Sequence, residues 1–316
     1  MKMKKWKVLV SAPYMQPVPD KYREILEDNG VDIVVQKVKE RLSEEELLRC
    51  ISEFDGVICG DDRFTERVFL SASRLKVISK WGTGIDSIDR KAAEVHGVAV
   101  RNTPNAFTVP VADTVIGYML CFARRLPWMD QGMKNGVWDK IPGVSLAELT
   151  LGVIGVGNIG KAVLRRASAF GMKLLGNDIL EVPATFIESV GVRMVSKGDL
   201  LKEANIVSVN CDLNQTSYHI LGEMEFSLMK ATAIVINTAR GPLIDERALT
   251  DALRNNKIAG AALDVFEEEP LPADSPLRSF DNVMLAPHNS NSSPAAWERV
   301  HENSVKNLLE ELRKRG

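Results

Sequence analysis

Short runs of apolar, β-branched residues alternate with stretches of helical spacing along the first hundred residues. The runs predict buried strands, and the stretches between them predict helices with one polar face. Strand–helix alternation is typical of a parallel sheet with helices on both faces, so we expect a first α/β domain of ordinary size. The predicted strands are Trp6–Val10, Val31–Val35, Gly56–Cys59, Lys76–Ser79 and Val98–Arg101, and the predicted helices are Pro19–Asn29, Ser43–Glu53, Thr65–Ser73 and Asp89–His96.

A second alternating series begins at Thr150. Before it, a long apolar helix is predicted over Val109–Arg125, and its lack of a polar face indicates burial against another subunit or between domains. The segment 132–145 is expected to be irregular, whereas Ala295–Arg313 has helical spacing and should dock on a core. The strands predicted for this series are Leu151–Ile154, Lys173–Asn177, Ile206–Asn210, Ala233–Asn237, Gly260–Asp264 and Val283–Ala286.

Composition narrows the class of protein. With 316 residues, two domains are expected, and 45% hydrophobic against 26% charged residues excludes disorder as the main state. A net charge of −2 excludes a global basic field that would attract nucleic acid or anionic lipid. We therefore expect a soluble protein whose partner is a small molecule, and neither nucleic acid nor a membrane.

The cysteines and the N-terminus indicate the compartment. Cys50, Cys59, Cys121 and Cys211 stand far apart without a C-x-x-C pair, which argues against a metal site and against a disulfide scaffold. The basic segment 1–7 leads into an apolar run too short for a signal peptide or a membrane span. Buried reduced thiols and a cytoplasmic location are the expectation.

A glycine motif follows the first strand of the second series. Gly155, Gly157 and Gly160 have G-x-G-x-x-G spacing at the start of a helix, where N–H groups face a phosphate. Asp178 follows the next strand, 18 residues after Gly160, where an acidic side chain accepts hydrogen bonds from an adenosine ribose and repels a 2′-phosphate. The motif therefore predicts a dinucleotide site with NAD as the cofactor.

Three further strand ends carry candidate chemistry. Arg240 and Asp264 follow two predicted strands, and His288 emerges after a third, whereas the other three histidines lie in helices, at a helix end or in a loop. Glu269 follows Asp264 closely. Because open α/β sheets bind ligands at the carboxyl ends of their strands, a cation, carboxylates and an imidazole there predict an active site.

Together these motifs resemble those of the NAD-dependent D-2-hydroxyacid dehydrogenase family. Within it, the chain is most similar to the phosphoglycerate dehydrogenase branch, without the C-terminal regulatory domain of that branch. The motifs that carry the resemblance are Gly82–Asp89, the Gly155 fingerprint, Asn237–Glu246, Gly260–Pro270 and Pro287–His288. The resemblance implies two doubly wound parallel-sheet domains: a flavodoxin-like substrate domain formed by residues 1–103 and 289–316, and a Rossmann NAD-binding domain formed by residues 104–288. It also implies a homodimer whose interface includes the Val109–Arg125 helix.

The same resemblance implies a role for each site residue. His288 would exchange a proton with the substrate oxygen, Glu269 would raise the pKa of that imidazole, and Arg240 would clamp the substrate carboxylate. The loop residues Gly82, Thr83 and Gly84 would offer N–H groups to the same carboxylate. Asp264 would fix the nicotinamide carboxamide, Asn158 and Ile159 would cover the pyrophosphate, and Cys211, Thr238 and Ala239 would line the cofactor cleft.

Several positions depart from the phosphoglycerate branch. Trp81 stands where a small residue is usual, either as the roof of a substrate pocket or as a core aromatic residue. Asp61 and Asp62 stand near the position of an arginine for the substrate phosphate, which they would repel unless Arg63 takes its place. Asp113 and Asp212 replace a glutamate and a proline. These differences suggest an unusual substrate without identifying it.

Two alternative functions are compatible with the same fold. A phosphite-type dehydrogenase has the same three catalytic residues, which here are Arg240, Glu269 and His288. It has a lysine in the loop Gly82–Gly84, at the position where this chain has Thr83. A non-catalytic NAD-sensing binding protein would lack a catalytic group or carry a large tail. This sequence has Arg240, Glu269 and His288 and shows no such tail, so an enzyme is expected. An NAD-dependent enzyme acting on the CH–OH group of a 2-hydroxy acid is the leading expectation.

Overall fold

A computed structural model of the protein describes residues 5–315, so residues 1–4 of the basic N-terminal segment and Gly316 lie outside the described residues. The chain forms two compact units. One runs to Phe107 and resumes at Ser293, and the other is Thr108–Ser292. These limits fall a few residues after those drawn from the sequence. Across residues 5–315, every helix is too short or too polar to cross a lipid bilayer.

The first unit has a five-stranded sheet. Its strands are β1 (Trp6–Val10), β2 (Val31–Val35), β3 (Gly56–Cys59), β4 (Val77–Lys80) and β5 (Ala99–Arg101). All pairings are parallel, and the strand order is β2-β1-β3-β4-β5. Central strands β3 and β4 are buried at every position, as their continuous apolar runs predict.

Five helices cover this sheet: α1 (Arg23–Asp28), α2 (Glu44–Leu48), α3 (Glu66–Ser71), α4 (Arg90–Val95) and α12 (Pro294–Arg313). Helix α12 comes from the far end of the chain and buries Val300, Val305 and Leu308. The Ser79 hydroxyl on β4 donates a hydrogen bond to the Ser304 carbonyl at 2.8 Å. The last helix therefore completes the core of the first unit.

The second unit has a seven-stranded sheet. Its strands are β6 (Thr150–Ile154), β7 (Lys173–Asn177), β8 (Arg193–Met194), β9 (Ile206–Val209), β10 (Ile234–Asn237), β11 (Gly260–Leu263) and β12 (Val283–Leu285). The order is β12-β11-β10-β9-β6-β7-β8, with every pairing parallel. The chain therefore reverses its direction across the sheet between β6 and β9, a switch point where such sheets bind ligands. The predicted class of two parallel-sheet α/β domains is confirmed.

Seven helices belong to this unit: α5 (Thr108–Arg124), α6 (Leu126–Lys134), α7 (Asn158–Ala169), α8 (Ala184–Val190), α9 (Lys197–Glu203), α10 (Glu223–Leu228) and α11 (Glu246–Arg254). Helix α5 is the long apolar helix of the sequence, and it buries Val115, Met119 and Phe122 in the core of its own unit. These apolar side chains therefore pack inside the second unit, and the predicted place of this helix in a dimer interface stays a prediction. Strand β8 and helix α6 were absent from the sequence prediction, which treated 132–145 as irregular.

Candidate functional site

The glycine loop lies at the switch point. Gly155 follows β6 with φ +89°. A Cβ there would lie 2.5 Å from the Cys211 nitrogen, and one at Gly160 would lie 2.0 Å from the Gly155 carbonyl oxygen. Only glycine permits these approaches, which pack the start of α7 against the loop. A Cβ at Gly157 would meet nothing within 4 Å, so the backbone there faces open space.

Asp178 stands directly after β7 and is tied to the glycine loop. Its Oδ2 accepts the Val156 N–H at 2.6 Å, and its Oδ1 accepts the Leu180 N–H at 2.8 Å. These two bonds hold a half-buried carboxylate beside the loop. The position and charge fit the ribose of a dinucleotide, and the charge opposes a 2′-phosphate.

The other predicted cofactor residues surround this loop. Asn158 and Ile159 open α7, and Cys211 follows β9. Burial raises the pKa of the Cys211 thiol to about 11, which keeps it protonated at neutral pH. The Thr238 hydroxyl is buried and has no hydrogen-bond partner among the described residues, whereas the Ala239 N–H donates to Asn237. An open glycine loop and an orphaned buried hydroxyl fit a bound dinucleotide.

Arg240, Asp264 and His288 follow three neighbouring strands, β10, β11 and β12. His288 Nδ1 lies 3.0 Å from Glu269 Oε2, and these side chains are only 19% and 11% exposed. Glu269 Oε1 accepts the Phe266 N–H at 3.0 Å. The carboxylate can therefore accept the Nδ1–H, which fixes the tautomer and the orientation of the imidazole ring.

A close backbone contact brings the arginine loop to the glutamate loop. A Cβ at Gly241 would lie 1.9 Å from the carbonyl carbon and oxygen of Phe266, so a side chain is excluded. The amide of Asn237 donates to the Arg240 carbonyl at 2.9 Å and fixes the turn from the strand side. The two loops are thus packed backbone to backbone within the second unit.

Asp264 has a bracing role that the sequence did not indicate. Its carboxylate is fully buried and accepts the N–H groups of Asn289 and Ser290, both at 2.8 Å. Its carbonyl accepts the N–H of His288, also at 2.8 Å. Asp264 therefore holds the turn that carries the imidazole. Its predicted contact with a nicotinamide stays a prediction.

The first unit carries the other predicted loop. The carbonyl of Gly82 accepts the Thr103 N–H at 2.9 Å, and the carbonyl of Thr83 accepts the Asn102 amide at 2.6 Å. The N–H groups of Gly82, Thr83 and Gly84 have no acceptor among residues 5–315. In this loop the carbonyls of Gly82 and Thr83 accept hydrogen bonds, while the three N–H groups stay available. Such an arrangement of N–H groups is suited to binding an anion.

A buried lysine beside this loop was missed by the sequence reasoning. Lys80 Nζ lies 3.2 Å from Asp61 Oδ1 and 3.1 Å from the Trp81 carbonyl oxygen, with its side chain only 5% exposed. A Cβ at Gly82 would lie 3.6 Å from this ammonium. Its position at the end of a strand was the available signal.

The departures noted in the sequence have defined surroundings. Trp81 is 3% exposed and stacks on Tyr14 with centroids 4.8 Å apart. Asp62 is fully buried, accepts hydrogen bonds from Ser11 and the Leu42 N–H, and has its pKa raised by that burial. Trp81 and Asp62 therefore contribute to the interior of the first unit, whereas Asp61 faces Lys80. In the second unit, Asp113 pairs with Arg166, and Asp212 adds to the raised pKa of Cys211.

Comparison with known proteins decides the family. Residues 116–290 match the family described as D-isomer specific 2-hydroxyacid dehydrogenase, NAD binding domain. The chain belongs to the D-isomer-specific 2-hydroxyacid dehydrogenase family. This confirms the resemblance drawn from the motifs, and the matched segment corresponds to the NAD-binding domain of that family.

Named relatives within the dehydrogenase family differ in length. The chain is 41% identical over 294 residues to D-3-phosphoglycerate dehydrogenase of Methanocaldococcus jannaschii, covering 92% of this chain and 54% of that protein. It is 39% identical over 292 residues to glyoxylate reductase of Thermofilum pendens, covering 89% and 86%. The chain thus spans about half the length of the first relative and most of the second.

A solved structure of the same fold supports the family assignment. A D-lactate dehydrogenase from Aquifex aeolicus, crystallised with NAD and lactic acid, superposes with a TM-score of 0.85 at 28% identity, covering 98% of each chain.

Proposed function

We propose that this protein is an NAD-dependent oxidoreductase that interconverts a small 2-hydroxy acid and its 2-oxo acid. The observation that carries the proposal is the His288–Glu269 pair, 3.0 Å apart, packed beside the Arg240 loop at neighbouring strand ends. An imidazole backed by a carboxylate exchanges protons, and a guanidinium binds a carboxylate through two parallel hydrogen bonds. A 2-oxo acid needs both groups.

In the reducing direction, His288 donates a proton from Nε2 to the carbonyl oxygen as that oxygen becomes a hydroxyl. Glu269 accepts the Nδ1–H and favours the charged imidazole that precedes the transfer. Arg240 holds the substrate carboxylate and polarises the adjacent carbonyl. In the first unit, the N–H groups of Gly82, Thr83 and Gly84, which have no acceptor among residues 5–315, are the proposed carboxylate-binding groups.

Bound NADH would supply the hydride for carbon 2 of the substrate and would thereby be oxidised to NAD. The glycine loop Gly155–Gly160 and the start of α7 would bind its pyrophosphate, and Asp178 would bind the adenosine ribose. Asn158, Ile159, Cys211, Thr238 and Ala239 would line the cofactor cleft, and Asp264 would bind the carboxamide. The negative charge of Asp178 favours NAD over NADP.

Two alternatives are weaker. A phosphite dehydrogenase would need the loop lysine that Thr83 replaces. A non-catalytic NAD sensor has no use for a buried histidine–glutamate pair. The names of the relatives, a phosphoglycerate dehydrogenase, a glyoxylate reductase and a D-lactate dehydrogenase, support the enzyme and share a 2-hydroxy or 2-oxo acid as the substrate class.

The homodimer and the cytoplasmic location are further parts of the proposal. Large apolar side chains stand exposed on α6 and the segment after it: Leu126, Met133, Val137, Trp138, Ile141 and Val144. Exposed large apolar side chains concentrated in one segment of the chain are typical of a protein–protein contact. All four cysteines are free thiols, as a reducing compartment requires.

The test is NADH oxidation by purified protein with glyoxylate, hydroxypyruvate, pyruvate, phosphohydroxypyruvate and bulkier 2-oxo acids. Oxidation with at least one of them is expected. If all of them fail while NADH binds, the NAD-sensing alternative replaces the enzyme.

A further inference from the structure

His219 lies where three segments of the second unit meet. Its Nε2 lies 2.6 Å from Glu267 Oε1, and its main-chain N–H donates to the Pro242 carbonyl at 2.9 Å. Its Nδ1 is 3.8 Å from Asp245 Oδ2. One residue thus contacts the segment after Arg240 and the acidic segment that carries Glu269.

The geometry at His219 is specific. Its φ is +50°, a left-handed conformation that costs a non-glycine residue free energy unless its surroundings compensate. The Tyr218 ring stacks on the imidazole with centroids 4.0 Å apart and planes at 19°. Leu221 and Ile244 form a parallel bridge beside it, which aligns the two segments.

Glu267 connects this contact to the proposed catalytic pair. Its N–H donates to Glu246 Oε1 at 2.5 Å, and the preceding Phe266 N–H donates to Glu269. Glu269 in turn pairs with His288. Glu267 is therefore the residue through which His219 contacts the short segment whose Phe266 N–H binds Glu269.

This acidic segment needs a hydrogen-bond donor. Glu267, Glu268 and Glu269 are consecutive, and Glu246 faces them. Burial raises the pKa of Glu246, and the neighbouring carboxylates raise it further. The imidazole N–H of His219 offsets this repulsion at Glu267.

We propose that His219 is a positioning residue: by binding Glu267 and the Pro242 carbonyl, it fixes the segment 266–269 and so the orientation of Glu269 toward His288. This inference rests on the proposed function for its effect on turnover, and on the structure alone for its effect on the loop.

The first experiment measures amide hydrogen exchange by mass spectrometry in the whole protein. His219→Ala should speed exchange in peptides covering 265–269, because the segment is no longer held at Glu267 and the hydrogen bonds from the Phe266 and Glu267 N–H groups to Glu269 and Glu246 open more often. His219→Gln keeps a donor near the Nε2 position and should exchange like the wild type. His96→Ala removes an exposed histidine of the first unit and is the matched control. If His219→Ala fails to fold, Glu267→Ala removes the same contact from the other side. Unchanged exchange in 265–269 overturns the inference.

The second experiment separates turnover from cofactor binding. His219→Ala should lower kcat about tenfold, since small misplacements of catalytic groups cost up to about 100-fold, and should leave the Kd for NADH unchanged. His219→Gln should restore most of kcat. A full kcat in His219→Ala overturns the positioning role. If the wild type reduces no 2-oxo acid, the proposed function fails, whereas the exchange measurement still decides the role of His219.

Discussion

His288 stands in a left-handed conformation, φ +52°, that its surroundings must hold. Asp264 supplies the main constraint, since its carbonyl and both carboxylate oxygens accept the three consecutive N–H groups of residues 288–290. Glu269 fixes the ring itself. The imidazole is therefore oriented before any ligand arrives, which is the condition for efficient proton transfer.

Replacing this imidazole tests the catalytic assignment. His288→Ala should lower kcat by about two to four orders of magnitude, because it removes the general acid. The Kd for NADH, measured by fluorescence titration, should stay within error of the wild type. A variant with full turnover would exclude His288 from the chemistry.

Asp178 determines the choice of cofactor in the proposal. Asp178→Ala should reduce the preference for NAD over NADP, because it removes a negative charge that opposes the 2′-phosphate. The measurement is kcat/KM for both reduced cofactors with one substrate. An unchanged ratio would contradict the role of Asp178.

Asp61 tests substrate charge. Its carboxylate lies 3.2 Å from the buried Lys80 ammonium and offsets that positive charge beside the loop Gly82–Gly84. Asp61→Asn should therefore raise kcat/KM for phosphohydroxypyruvate relative to hydroxypyruvate several-fold. Asp20→Asn, at an exposed site of the same unit, is the matched control. Equal ratios in both variants would remove Asp61 from selectivity.

At the scale of elements, strands were predictable and their loops were not. Strands β6, β7 and β9 to β12 came within a residue or two of their observed limits, because buried parallel strands are continuous apolar runs. Strand β8 is two residues long and leaves no pattern. Helix α6 was missed because a single left-handed residue, Arg125 at φ +57°, separates it from α5.

The site follows the same division. Arg240, Asp264 and His288 could be proposed because strand order brings strand ends together. The pairings of Lys80 with Asp61 and of His219 with Glu267 join residues 19 and 48 positions apart through loops. The strand-end position of Lys80 marks it as a candidate, but no periodicity specifies the partner of either residue, so the two pairings could not be predicted from the sequence.

The packing of the Arg240 loop on the Glu269 loop depends on one glycine. Gly241→Ala should lower the free energy of unfolding by about 1–3 kcal/mol and reduce kcat, because the new Cβ overlaps the Phe266 carbonyl. Gly117→Ala is the matched control: in α5 its Cβ would meet nothing within 4 Å, and helix propensity predicts a gain of about 0.5–1 kcal/mol. Denaturant titration measures both, and an equal response would contradict the packing argument.

At the scale of the whole molecule, the proposed homodimer can be tested by replacing an exposed apolar side chain. Trp138 is 81% exposed within the apolar group on α6 and the segment after it. Trp138→Glu should shift a dimer toward single chains in sedimentation velocity, because a charge replaces a large apolar contact. Val95→Glu, an 82% exposed apolar site on the first unit, should leave the dimer intact. Wild-type protein that sediments as a single chain would exclude the homodimer.

Helix α12 also has a consequence for synthesis. It contributes Leu308 to the core of the first unit, and Glu311 pairs with Arg101 at the end of β5. The ribosome makes the whole second unit between these two parts of the first. A nascent chain arrested before Ser293 would therefore carry every strand and helix of the second unit, while the first unit would still expose the apolar face that α12 covers, a natural target for a chaperone.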